Sequence, residues 1–357
     1  MRHTPAATPV DAGRGFIGTM TALPAYDDES YLDFVEGLRG FALRKVTPVA
    51  ASRVRKEAER RGSPQGIEER RALSDPLPAV AARNRLLRST QGMNWERVLE
   101  SYQTRREELE AELARYEDQG PARLELDPDF VYPEYYDSVH YHRQPGGYHA
   151  DALAGYIYHY GTKVFHIGGN DHDESKIANA AAVAEPADGR VARVLDVACA
   201  IGSTTVAFKD RWPEAEVWGV EASAPLLRYA HARAVRLGAE VTFSQRLAED
   251  LRLPDAHFDV VYMSTLLHEM PVEEGRRALR EAHRVLRPGG VLEIRDMQQA
   301  SSPIDPWADY SRDFDSRFNT EPYAYPFVHS NVSAFLEGLF TEVDITPGHM
   351  TIWRCTA

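Results

Sequence analysis

Along this chain the spacing of apolar positions changes once. In the segment SYLDFVEGLRGFAL, Tyr31, Phe34, Leu38 and Phe41 recur at helical intervals, and residues from about 30 to 118 read as helical throughout. Within them WERVLESYQTRREELEAELARY, residues 95–116, predicts one long amphipathic helix. Its interleaved Glu and Arg suit a solvated face supported by i,i+4 pairs. Residues 62–65 and 75–78 are turn-like breaks between helices. An irregular aromatic stretch covers residues 131–161. From Val191 onward short apolar runs alternate with helical ones: VARVLDV, EVWGV, EVTFSQ, FDVVYM, VLEIRD, then a closing pair near TEVDI and MTIWRC. That alternation predicts an α/β fold with a mostly parallel sheet and helices on both faces.

Length and charge refine the picture. With 357 residues the chain has room for one large domain or two ordinary ones. The pattern divides it into a flexible tail over 1–29, an N-terminal helical and aromatic cap over 30–150, and the sheet domain over 151–357. The net charge of −13 argues against non-specific nucleic-acid binding, although arginine far outnumbers lysine and leaves room for a local basic groove. No apolar run is long enough to span a membrane. Cys199 and Cys355 are too few for a disulfide framework and lack metal-ligand spacing, which suits a cytoplasmic protein. The acidic NDHDE at 170–174 precedes a helical run and reads as helix capping rather than a metal cluster.

The densest chemistry lies in VLDVACAIGS, residues 194–203: an apolar strand carrying Asp196, a loop of small residues, then a helix. Open α/β sheets bind ligands at the carboxyl ends of their strands, and small residues let backbone approach a ligand. The next strand ends in Glu221, placed where an acid hydrogen-bonds the ribose hydroxyls of an adenosine cofactor.

These residues resemble the class I, Rossmann-like, S-adenosylmethionine (SAM)-dependent methyltransferases, whose first strand ends in an acid followed by a G-x-G-x-G loop. Here Ala198 and Ala200 stand at two of the three glycine positions and Gly202 at the third. Further segments follow in family order. LAEDLRLPDAHFDVV resembles the adenine-binding loop and fourth strand, with Ala248 offering a backbone N–H and Glu249 or Asp250 near the adenine amino group. STLLHEMP, beginning at Ser264, resembles the segment flanking the methionine part of SAM. HRVLRPGGVLEIRD resembles the helix, turn and fifth strand, and HIGG, with Gly168 and Gly169, is similar to a segment close to SAM in several small-molecule methyltransferases. The resemblance covers residues 165–357 and implies a seven-stranded sheet of order 3-2-1-4-5-7-6 with an antiparallel seventh strand, SAM as cofactor, and methyl transfer to a small-molecule acceptor, as in many secondary-metabolism enzymes. A SAM-fold enzyme with decarboxylating or cyclising chemistry, and a non-catalytic SAM-binding interaction protein, are the alternatives.

The acceptor side is expected in two aromatic segments. One runs through Tyr132, Tyr135, Tyr136, Tyr141, Tyr148, Tyr156, Tyr158 and Tyr160 with interleaved histidines; the other spans residues 307–327. Tyr141, Tyr156, Trp307 and Tyr310 are the expected acceptor contacts. If the acceptor needs a base, His142, Tyr160 and His268 are the choices. The long helical region further predicts a homodimer.

Overall fold

The computed structural model describes residues 20–168, 172–300 and 303–357. The chain begins with helices α1 (Tyr26–Phe41), α2 (Thr47–Arg61), α3 (Ile67–Ser74), α4 (Pro78–Gln103) and α5 (Arg106–Tyr116). The breaks at 62–65 and 75–78 fall between helices as the sequence predicts, with Pro78 opening α4 where its missing N–H costs nothing. The helix expected over 95–116 is two helices: Arg105, at φ −118° and ψ 20°, leaves helical geometry between α4 and α5. The buried face of α1 also differs from the expected one. Leu32, Val35 and Arg39 face inward, whereas Phe34 and Phe41 are 60% and 53% exposed. Burying Arg39 is affordable because its guanidinium reaches Gln91 and the Phe165 carbonyl.

A short strand β1 (Arg123–Glu125) and the helices α6 (Glu134–Asp137), α7 (Ala154–Phe165) and α8 (Glu174–Ala182) follow. Then come β2 (Arg193–Val197), α9 (Ser203–Arg211), β3 (Glu216–Glu221), α10 (Ala224–Leu237), β4 (Thr242–Gln245), β5 (Phe258–Ser264), α11 (Val272–Val285) and β6 (Leu286–Met297). The chain closes with α12 (Pro306–Phe318), α13 (Ala324–Val328), α14 (Val332–Glu337), β7 (Glu342–Thr346) and β8 (Met350–Thr356).

The strands form one sheet of order β1-β4-β3-β2-β5-β6-β8-β7. All pairings are parallel except those of β8, which runs antiparallel to β6 and β7. Seven of the strands therefore reproduce the expected 3-2-1-4-5-7-6 order. The eighth, β1, adds a parallel edge beside β4; at three residues with exposed ends it has no apolar alternation by which a sequence could announce it.

One apolar core lies between the sheet and α11 and α14, around Val261, Leu279, Leu292 and Trp353. Another fills the opposite face beneath α9 and α10, around Phe208, Leu227 and Phe243. A third joins the N-terminal helices to the sheet domain: Trp95 and Tyr102 of α4 pack with Tyr156 and Tyr160 of α7 and Tyr229 of α10. This contact is close enough that a Cβ on Gly161 would lie 2.0 Å from the Trp95 ring. A fourth packs Trp307 and Tyr310 of α12 against α2, α3 and α4. No helix among the described residues is long and apolar enough to cross a membrane.

Candidate active site

The carboxyl ends of β2, β3 and β5 converge on one edge of the sheet. Asp196 is buried near the end of β2 and accepts a hydrogen bond from Thr205 Oγ1 of α9 at 2.7 Å. Burial pushes its carboxyl up to about 7, opposed by that hydrogen bond and by the charge of Lys176 nearby. After it the chain turns through three left-handed positions, Ala198 (φ 58°), Ala200 (φ 48°) and Gly202 (φ 71°). Glycine is obligatory at the last, because a Cβ there would meet the Phe243 ring at 2.5 Å. At the two alanines the left-handed backbone costs roughly 1–2 kcal/mol each, strain of a kind that gathers at ligand sites.

Glu221 ends β3 and is 7% exposed. Its Oε2 accepts from the Ala200 N–H at 3.2 Å, and its Oε1 from the Ser223 N–H at 3.0 Å and the Tyr136 hydroxyl at 3.4 Å. Burial raises the carboxyl's pKa and the two N–H groups oppose the rise. The strained loop and the carboxylate thus hold each other in place. In the turn after β4 Glu249 is buried, with Oε1 accepting from the Tyr135 hydroxyl at 2.6 Å and Oε2 without a partner among the described residues. Asp250 instead faces solvent and pairs with Arg252 at 2.9 Å. Ala248 packs against the first core, and Ser264 ends β5 half-buried. Gly168 (φ 68°) closes α7 by donating to the Lys163 carbonyl; Gly169 lies outside the described residues. Of the acidic segment before α8, Asp173 pairs with Arg233 rather than capping the helix, and Glu174 accepts from the His172 N–H.

A second polar cluster lies past the ends of β5 and β6. His268 and Asp296 are 3% and 0% exposed. Asp296 Oδ1 takes His268 Nδ1 at 2.5 Å and Oδ2 takes the Leu267 N–H at 2.8 Å. Burial lowers the pKa of His268, but Asp296, with Glu269 and Glu321 further off, more than compensates and raises it to about 9. His268 Nε2 makes no hydrogen bond among the described residues. His142 has both ring nitrogens engaged: Nε2 is 2.9 Å from Glu269 Oε1 and Nδ1 2.8 Å from Glu321 Oε1. Against burial, the two glutamates raise its pKa to about 10, and His142 in turn holds the Glu321 carboxyl below the usual range. Tyr148 donates to Glu269 Oε1 at 3.2 Å, and Tyr141 to the Glu269 carbonyl at 2.6 Å. His142 (φ 54°) and Arg143 (φ 63°) are consecutive left-handed residues, and Thr320 accepts the Arg143 N–H at 2.8 Å.

A model of the methyltransferase domain matches residues 194–290. A ubiquinone/menaquinone biosynthesis C-methyltransferase of Syntrophotalea carbinolica is 30% identical over 160 residues, covering 43% of this chain and 67% of that protein. The chain belongs to the class I SAM-dependent methyltransferases. Other members of the family match a shorter stretch. A demethylmenaquinone methyltransferase of Thermus thermophilus is 37% identical over 29% of this chain and 46% of its own length, and the 27-O-demethylrifamycin SV methyltransferase of Amycolatopsis mediterranei is 34% identical over 34% and 44%. The chain spans about half the length of most of the curated relatives it matches. Among solved structures, an O-methyltransferase family protein from Burkholderia thailandensis aligns at 19% identity with a TM-score of 0.44, over 56% of this chain and 60% of that one.

In this chain the structure brings Asp196, Ala198, Ala200, Gly202 and Glu221 together, with Glu249 in the turn after β4, the strand beside β3. It places His142, Tyr141 and His268 in the cluster past β5 and β6. Other expected contacts sit elsewhere. Tyr156 lies in the third core, its hydroxyl 3.3 Å from Glu112. Tyr160 is fully buried in that same core, its ring 5.5 Å from the Lys163 ammonium. Trp307 and Tyr310 are buried against the N-terminal helices, where Tyr310 donates to Asp75 at 2.5 Å. Sequence reasoning missed Glu269, Asp296 and Glu321. Asp296 had a signal, an acid at the carboxyl end of a strand; Glu321 had none.

Proposed function

We propose that this chain transfers a methyl group from SAM to a small-molecule acceptor, with His268 as the general base. The observation that carries the reading is the His268–Asp296 pair past the ends of β5 and β6, with Nε2 of the imidazole making no hydrogen bond among the described residues. The adenosine side supports it. Glu221 ends its strand with a buried carboxylate suited to a ribose diol, and the unpartnered Glu249 Oε2 is an acceptor suited to the adenine amino group. Between Glu249 and Asp250 the geometry favours Glu249, since Asp250 is turned to solvent. Asp196 and the 198–202 loop would lie along the methionine end, with Ser264 and Gly168 around it, while Ala248, beside Glu249, would offer its N–H to the adenine.

SAM supplies a methyl group already activated by its positive sulfur, so the protein's share is alignment and, for a protonated nucleophile, removal of one proton. Asp296 fixes the His268 tautomer with the proton on Nδ1, which points the lone pair of Nε2 outward to receive that proton. His142 is unsuited to this role because both its nitrogens are held by carboxylates; it orders Glu269 and Glu321 instead. The buried Tyr160 is likewise set aside.

The remaining parts of the reading are a cytoplasmic enzyme with no nucleic-acid partner, a helical cap over residues 30–150, and a homodimer. Exposed Tyr26, Phe34, Phe41 and Val49 on α1 and α2 support the last. Incubation with methyl-labelled SAM and a panel of phenols, amines and quinols tests the activity. Labelled product with stoichiometric S-adenosylhomocysteine is expected; product without S-adenosylhomocysteine, or SAM binding without turnover on any acceptor, counts against it.

A further inference from the structure

A groove of about 480 Å³ opens between α4 and α12, away from the sheet edge that carries Glu221. Its walls carry Arg85, Arg88, Arg143, Arg317, Asp75 and Phe318. Four guanidinium groups around one groove are unexpected in a chain of net charge −13. Arg317 is neutralised, lying 2.7 Å from Asp313 and 3.8 Å from Asp75. Asp75, the one acid of the wall, is further occupied by the Tyr310 hydroxyl. Arg85, Arg88 and Arg143 have no carboxylate within ion-pairing distance among the described residues.

The groove is also organised. The Arg88 and Arg317 guanidinium groups each lie 4.8 Å from the Phe318 ring centre, a cation–π contact that limits where each head can go. Arg143 donates to the Arg88 carbonyl at 3.2 Å, and its own N–H is held by Thr320. The groove abuts the second polar cluster through the chain itself. The paired left-handed residues at 142 and 143 send His142 to the two glutamates and Arg143 to the groove. On the other wall Phe318 is followed within three residues by Glu321.

We infer that this groove binds a phosphate monoester, and, resting on the methyl transfer proposed above, that the ester is the anionic end of the acceptor. Three unpaired guanidinium groups match the charge of a phosphate monoester, about −1.5 to −2 at neutral pH, better than a single carboxylate, and the fork geometry of arginine suits phosphate oxygens. The Phe314 and Phe318 rings offer an apolar wall to the organic part.

The test titrates the full chain at low salt with 1-naphthyl phosphate, 1-naphthoate and 1-naphthol by calorimetry, without SAM. The phosphate should bind, weakening as salt is raised, while the carboxylate binds about tenfold less and the alcohol not at all. Because Arg85 and Arg88 are exposed, the Arg85→Ala/Arg88→Ala double variant should fold normally and lose at least about tenfold in affinity for the phosphate. An Arg277→Ala/Arg280→Ala variant, with the same charge lost from exposed positions on α11, should bind like the wild type. Equal affinity in the first double variant, equal loss in the second, or naphthoate binding as well as the phosphate each overturns the assignment. The separate assay for labelled product and S-adenosylhomocysteine reports on the methyl-transfer reading alone, so the two can fail independently.

Discussion

The Tyr135 hydroxyl donates to one oxygen of the Glu249 carboxylate at 2.6 Å, while the other oxygen is buried with no partner among the described residues. The tyrosine therefore orients a carboxylate whose second oxygen, on the proposed reading, accepts from the adenine amino group. Tyr135→Phe should weaken SAM binding by about 1 kcal/mol, roughly fivefold, by releasing that orientation. Glu221→Ala, which would leave ribose hydroxyls unsatisfied, should cost roughly 1–3 kcal/mol, and Asp250→Ala next to nothing. Calorimetry with SAM separates the three; an Asp250→Ala loss as large as that of Glu221→Ala would reject the placement of the adenine.

His268 titrates near 9, so at neutral pH most of it carries a proton and cannot accept another. The rate of the methyl-transfer step should rise about tenfold per pH unit until roughly pH 9 and then level off. Asp296→Asn removes the carboxylate that holds the proton, leaving burial opposed only by Glu269 and Glu321, and should shift the inflection well below pH 9. Stability follows the same group in the opposite direction. The folded value is raised, so the contribution is complete below the unfolded value near 6.5 and lost as pH climbs through about 9. Single-turnover rates against pH in the two proteins check this; a flat profile in the wild type removes His268 as base.

Gly202→Ala would force a Cβ into the Phe243 ring at a left-handed backbone, and should cost about 2–4 kcal/mol of folding stability with loss of SAM binding. Ala200→Gly relieves strain at φ 48° and offsets that gain with greater freedom in the unfolded chain, so its stability should change by less than about 1 kcal/mol. Urea unfolding of both variants measures the contrast. If Gly202→Ala unfolds like the wild type, the close packing of the loop on β4 is wrong.

Phe34 and Phe41 lie seven residues apart on α1, 60% and 53% exposed. Light scattering should give a mass about twice 40.1 kDa, and Phe34→Glu should shift it toward the single chain. A wild-type mass of one chain at micromolar concentration would discard the dimer.

The sheet was legible because its central strands β2, β3 and β5 are buried on both faces and read as near-continuous apolar runs, and because Asp196, Gly202 and Glu221 fall at strand ends and a turn where few residue types fit. The N-terminal helices were legible in number more than in orientation. Their inward faces carry Arg39, Arg70 and Arg83, residues that an apolar periodicity discards but that find partners in Gln91, Asp309 and Ser311. The polar cluster was the least legible part. His142 and Glu321 are separated by 179 positions and meet only through tertiary packing, while Trp307 and Tyr310, chosen as aromatic lining, are drawn away by α2, α3 and α4.

Thr320 bonds to both the Arg143 N–H and the His140 carbonyl, stitching the segment before the sheet domain to the segment after β6. For protein engineering this makes the two segments one cassette. A chimera that imports residues 140–143 from another family member without 319–321 would strand His142 beside Glu269 alone and leave its turn without the Thr320 hydroxyl. Acceptor preference should therefore transfer only when both pieces are exchanged together, however similar the donor's central sheet.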